Sequence, residues 1–189
     1  ELHTMYYAYI GNSKKCYEYS LKLIQLIESN PMVIEASINF PTFYLYRHSI
    51  HCSNAGVHAE ALSSIARLET LEPRTDIQKN NLTLKILNTR ITVYLRMGHI
   101  QEAMDLIPQI KTLFETSKQI DSFLKEATYW QVISLYMITE QYKLALNWFV
   151  KATLEERFHR QDLECIGRII EIILHYELQK LDILEYRVK

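Results

Sequence analysis

The stretch Ala127–Thr153, ATYWQVISLYMITEQYKLALNWFVKAT, decides the fold class. Its Tyr129, Tyr136, Tyr142, Ala145, Phe149 and Ala152 follow one another at intervals of seven, six, three, four and three residues. Intervals of three, four and seven keep side chains on one face of a helix, and the six-residue step across Glu140 marks a turn between two of them. The stretch therefore predicts two helices folded against each other through aromatic and small residues.

The same frame recurs upstream. GVHAEAL from Gly56, GHIQEAM from Gly98 and EQYKLAL from Glu140 place alanines at 61, 103 and 145, an interval of 42 both times. Looser matches extend it to Ser20, 41 residues before Ala61, and to Leu184, 39 after Ala145. Self-similarity at this spacing marks an α-solenoid, in which no helix pair buries its apolar face alone and each stacks on its neighbours.

Composition agrees. The chain has 189 residues, 48% of them hydrophobic, with only four glycines and four prolines, which favours long helices with short connections over a many-turned β fold. The 21 basic and 22 acidic residues nearly cancel, so there is no field of one sign to attract nucleic acid or an anionic membrane. Cys16, Cys52 and Cys165 are odd in number and far apart, which argues against a disulfide framework and for a reducing compartment. The most apolar piece, Ile166–Leu174, is interrupted by Arg168 and Glu171 and is too short to span a bilayer. These features lead to the expectation of a cytoplasmic protein.

In chain order, Tyr6–Ile10 ends at Gly11-Asn12, and Ser13 is placed to cap a helix carrying Tyr17, Ser20, Leu21, Ile24 and Ile27. Asn30 reads as an N-cap with Pro31 at the first helical position, and Pro41 predicts a kink or break at Asn39–Pro41. Helices follow over 58–71, over 78–97 up to the stop at Gly98, and over 99–114 with a bend at Pro108. The remaining patterns cover 120–138, 141–154, 162–178 and the first turns of a helix from Lys180.

These residues resemble the tetratricopeptide repeat family. Its pattern runs through Tyr129, Ile133, Tyr136, Glu140, Tyr142, Ala145, Phe149 and Ala152. The preceding copy has Leu87, Ile91, Tyr94, Gly98, Ile100, Ala103, Ile107 and Ile110. The copy before that has Leu45, Ser49, Cys52, Gly56, His58, Ala61, Ile65 and Leu68, closed by Pro73. The likeness covers roughly 42–153. An interval of 42 exceeds the family's ~34 by about one turn in each helix, and HEAT or armadillo repeats, at ~40–47 residues, are the structural runner-up. The alanine shortly after each turn favours the first family, and long, divergent repeats of this kind look like those of uncharacterised bacterial proteins. The resemblance implies an all-α, right-handed α-solenoid of antiparallel helix pairs. It would form a single domain over 1–189, with repeats near 1–29, 30–72, 73–115, 116–158 and a partial one over 159–189. Because the chain starts at Glu1 and ends in an apolar pattern, we expect it to be a piece of a longer protein.

Little in the sequence suggests chemistry. His48, His51, Cys52 and His58 are the densest polar constellation, and on a helix His48 and Cys52 are one turn apart, so the four could in principle ligate zinc. Neither CxxC nor HExxH spacing is present, and Cys52 falls in the slot that Tyr94 and Tyr136 fill in later copies, so the expectation is packing, with no metal and no other cofactor. GxSxG, Walker and GxGxxG motifs are missing, which predicts a protein without catalytic activity.

The family resemblance instead implies a concave groove lined by the first helix of each pair. Its places fall on Phe43, Tyr46, Ile50 and Ser53; on Lys85, Asn88, Thr92 and Leu95; and on Ala127, Trp130, Ser134 and Met137. Tyr46 and Trp130 would anchor a protein or peptide, with Lys85, Asn88 and Arg96 donating hydrogen bonds. The clamp of chaperone-binding members needs Lys and Asn where Tyr46 and Ile50 stand, which argues against a chaperone tail as ligand. The implied function is a protein- or peptide-binding scaffold; the alternative is a peptide-sensing module of a bacterial transcription or signalling regulator. A second surface is expected over 162–189, where Ile166, Ile169, Ile170, Ile172, Ile173 and Leu174 make a helix apolar over most of its circumference, suited to further helices or to self-association. No direct nucleic-acid or membrane partner is expected.

Overall fold

The computed structural model describes residues 2–30, 32, 37–117, 119–155 and 161–188. Among them every regular element is a helix: α1 (Leu2–Tyr9), α2 (Ser13–Glu28), α3 (Asn39–Asn54), α4 (His58–Glu69), α5 (Asp76–Met97), α6 (Ile100–Met104), α7 (Ile107–Thr116), α8 (Ser122–Ile138), α9 (Tyr142–Glu155), α10 (Gln161–Glu177) and α11 (Leu181–Val188). The chain separates into two compact units, residues 1–119 with α1–α7 and residues 120–189 with α8–α11. No helix among the described residues is long and apolar enough to cross a membrane.

Among the described residues one turn is used five times. Gly11, Gly56 and Gly98 have φ of 72°, 79° and 77°, and the left-handed conformation is held elsewhere by Glu140 (57°) and Gln179 (56°). After each, the next N–H reaches back five residues: Asn12 to the Tyr7 carbonyl, Val57 to Cys52, His99 to Tyr94, Gln141 to Tyr136 and Lys180 to His175, all at 2.8–2.9 Å. This bond satisfies carbonyls that the end of a helix would otherwise leave open, and the left-handed residue reverses the chain. Ala61, Ala103 and Ala145, five residues past their stops, are fully buried. The matching place after Gly11 is Cys16, 3% exposed, and not the Ser20 that the looser sequence match selects.

Other boundaries follow from local chemistry. Asn12, one residue earlier than expected, caps α2 by accepting from the Lys15 N–H at 3.0 Å. Thr75 caps α5 and Asp121 caps α8 in the same way. α3 begins at Asn39, so Pro41 sits in its first turn, where the missing N–H breaks no ladder bond. Pro108 does more than bend the expected helix over 99–114. The helix splits into α6 and α7 with the proline in the opening turn of α7. The Asn30 side chain donates to the Leu26 carbonyl at the end of α2, and Pro31 lies outside the described residues.

In the first unit, Ile24, Leu45, Leu68 and Leu82 join α2–α5 in one apolar cluster, and Cys52, Ala61, Ile65 and Val93 join α3–α5 in another. In the second, Tyr129, Val132, Ile133, Leu135, Phe149 and Ala152 are buried, with Trp148 edge-on to Tyr129 at 5.6 Å. Each fully buried large apolar side chain contributes ~1.5–3 kcal/mol. On α10 Leu174 is fully buried, while Ile166, Ile169, Ile172 and Ile173 are 36–59% exposed.

Candidate functional site

Within the first unit, α3 packs against α5 and brings together residues 42 apart in the sequence. The Tyr46 hydroxyl donates a long bond to Asn88 Oδ1 at 3.4 Å, and Lys85 Nζ lies 6.0 Å from the centre of the Tyr46 ring. Thr92 Oγ1 donates to the Asn88 carbonyl at 3.0 Å. Asn88 is 3% exposed and its side chain is engaged inside the protein, whereas Tyr46, Ile50, Lys85 and Thr92 are half-buried and Arg96 is exposed. Phe43 is 38% exposed, with the Arg47 guanidinium 5.4 Å above its ring. Ser53 is buried. Beside this face, between the start of α3 and the first turns of α5, lies a cleft of about 230 Å3 of mixed lining, with Ile38, Ile77 and Leu82 beside Asn39, Thr42, Gln78, Asn81 and Lys85. Lys85 thus belongs both to the cleft and to the aromatic face.

The remaining groove candidates belong to α8 in the second unit. Ala127 and Ser134 are exposed, and Met137 is half-buried. Trp130 is half-buried and stands edge-on to Phe149 at 6.3 Å, so one side of the indole packs onto α9.

The polar constellation at the α3–α4 turn is rearranged relative to its sequence reading. His51 and His58 do not join His48 and Cys52; the His51 Nε2 and His58 Nδ1 atoms are buried without a hydrogen-bond partner. Glu60, from the first turn of α4, takes their place. His48 Nε2 is 3.4 Å from Cys52 Sγ and 3.5 Å from Glu60 Oε1. Around these three, Ser20 Oγ is 2.8 Å from His48 Nδ1, and the Tyr17 hydroxyl donates to Glu60 Oε2 at 2.7 Å. His48 and Cys52 are 1% and 0% exposed. Burial holds the His48 imidazole below its ordinary range. Burial, reinforced by the Glu60 charge, pushes the Cys52 thiol up to about 12. The hydrogen bond to Glu60 raises the Tyr17 phenol to about 12. Glu60 carries no local motif; its partners come from α2 and α3, so only the fold reveals it.

Comparison with protein-family models, with curated proteins and with solved structures returned no match.

Proposed function

We propose that the protein is a non-catalytic scaffold of the tetratricopeptide type, a right-handed solenoid of antiparallel helix pairs, that binds a protein or peptide segment along the exposed side of α3 and α5. The observation that carries this reading is that Tyr46 on α3 and Lys85 on α5 meet beside the cleft, which Lys85 also lines. Half-buried aromatic rings supply contact area at low entropic cost, and a lysine at the cleft mouth suits a carboxylate or a main-chain carbonyl of an extended segment. A volume of about 230 Å3 lies below the ~300–1,000 Å3 typical of small-molecule pockets, so it accommodates one or two side chains of a longer ligand better than a free metabolite. The repeated left-handed stops and the buried alanines after three of them support the repeat reading.

Selection of a random peptide-display library on the immobilised protein tests this function. Enriched peptides are expected to lose at least tenfold in affinity on Tyr46→Ala and on Lys85→Glu. Failure to enrich any peptide, or peptides that bind both variants as tightly as the parent, would overturn it.

A further inference from the structure

We propose that His48, Cys52 and Glu60 form a binding site for one zinc-class divalent metal ion, clasping α3 to α4. Among the described residues they are the one group of three or more His, Cys, Asp or Glu side chains whose ligating atoms come close together, all within 4.8 Å. A tetrahedral ion with bonds of about 2.0–2.1 Å to nitrogen, about 2.3 Å to sulfur and about 2.0–2.2 Å to oxygen needs ligand atoms about 3.3–3.6 Å apart. The observed Nε2–Sγ and Nε2–Oε1 separations, 3.4 and 3.5 Å, are edges of that size.

The protonation pattern points the same way. The Ser20 hydroxyl has one hydrogen, which it donates to the Tyr17 carbonyl at 2.9 Å. With that hydrogen turned to Tyr17, Ser20 Oγ is placed to accept from His48 Nδ1, and in that tautomer the Nε2 lone pair faces Cys52 and Glu60. Cys52 can offer its thiol hydrogen to Nε2, but Nε2 and the Glu60 carboxylate then face each other as two acceptors. A cation between them removes that conflict. A neutral imidazole, a thiolate and a carboxylate carry two negative charges, which a divalent ion cancels. Ser20 behind the imidazole and Tyr17 behind the carboxylate are the outer partners that orient metal ligands. The fourth position falls to water, reached from the Glu60 side, where that side chain is 31% exposed.

Binding forms the metal–sulfur bond as the Cys52 S–H bond breaks, and the thiol proton leaves to buffer. Chelator-stripped protein, kept reduced, is titrated with Co2+ alone and then with Zn2+. Expected are one equivalent of Co2+ per chain, the near-ultraviolet thiolate-to-cobalt band and visible bands of a tetrahedral centre, one proton released, and displacement by Zn2+. Cys52→Ser should abolish the thiolate band, Glu60→Gln should weaken binding at least tenfold, and Cys165→Ser, which changes an exposed thiol, should alter nothing. Should Cys52→Ser fail to fold, Glu60→Gln decides, because its half-exposed carboxylate is not needed to fill the core. Absence of the thiolate band in the parent, its survival in Cys52→Ser, its loss in Cys165→Ser, or unchanged affinity in Glu60→Gln overturns the site.

Discussion

At the α3–α4 turn the left-handed residue is Gly56, and the side chains around it include His48, His51, Cys52 and Glu60. At the α8–α9 turn it is Glu140, and the same places, 84 positions on, hold Val132, Leu135, Tyr136 and Leu144. Both turns close with the same bond, Val57 N–H to the Cys52 carbonyl at 2.9 Å and Gln141 N–H to the Tyr136 carbonyl at 2.8 Å. Both bury the first two of these places: His48 and His51 are 1% and 8% exposed, and Val132 and Leu135 are 0% exposed. The backbone therefore does not require polar side chains here. Where they occur, they carry a cost in desolvation that apolar residues avoid, and at His48 and Cys52 the proposed metal site would offset that cost.

The contrast breaks most visibly with acid. Burial, with Arg47 and His48 adding their charge, pushes the His51 imidazole down to about 4, while an unfolded histidine titrates near 6.5. As pH falls below about 6.5 the unfolded chain takes up the proton and the folded chain does not, so stability present above that pH is lost on the way to about 4. The loss from this group amounts to roughly 3 kcal/mol. Urea unfolding of His51→Leu, which restores the residue type found at Leu135, should show a flatter pH profile over that window. An unchanged slope would remove His51 as the cause.

Moving a polar group the other way should also cost stability. Val132→His puts an imidazole at a fully buried place without counterparts of Ser20 and Glu60, and should destabilise by ~1–3 kcal/mol in urea unfolding followed by circular dichroism. The stops themselves differ by less. Nothing lies within 4 Å of a Cβ placed on Gly98, so Gly98→Ala costs only the left-handed backbone term, about 1 kcal/mol, and Glu140→Gly should recover about the same amount. Smallest is His48→Val in metal-free protein. Ser20 keeps its bond to the Tyr17 carbonyl and Glu60 keeps Tyr17, so the unfolding free energy should change by less than ~1 kcal/mol.

The turns were legible in sequence to the degree that glycine and alanine mark them. Gly56, Gly98 and their alanines announce the frame, because the left-handed residue favours glycine and the buried crossing favours a small side chain. Gln179 escapes notice, since a polar residue there looks like any loop position, and Cys16 is hidden because its turn stands 45 residues from the next. Pro108 was visible as an irregularity, but the break falls before it, at Asp105–Leu106, where no breaker residue stands. The candidate binding face was readable only in outline. Tyr46 and Lys85 do meet, whereas Asn88 turned out to be buried, because whether a polar side chain faces a ligand or a neighbouring tyrosine depends on how α3 packs on α5. Glu60 could not be found at all without the fold, as its contacts reach 12 and 43 residues back along the chain.

The left-handed stops at 11, 56, 98, 140 and 179 stand 45, 42, 42 and 39 residues apart. These spans differ by three, close to the 3.6 residues of one helical turn. A change of three or four residues inside a helix is thus one turn. A pair lengthened by a turn still arrives at its next stop with its buried face nearly in register. A single inserted residue swings every later side chain by about 100° and sends the alanine of the crossing toward solvent. Insertions and deletions inside the helices should accordingly be tolerated better in threes and fours than singly, and single residues better in the linkers between pairs.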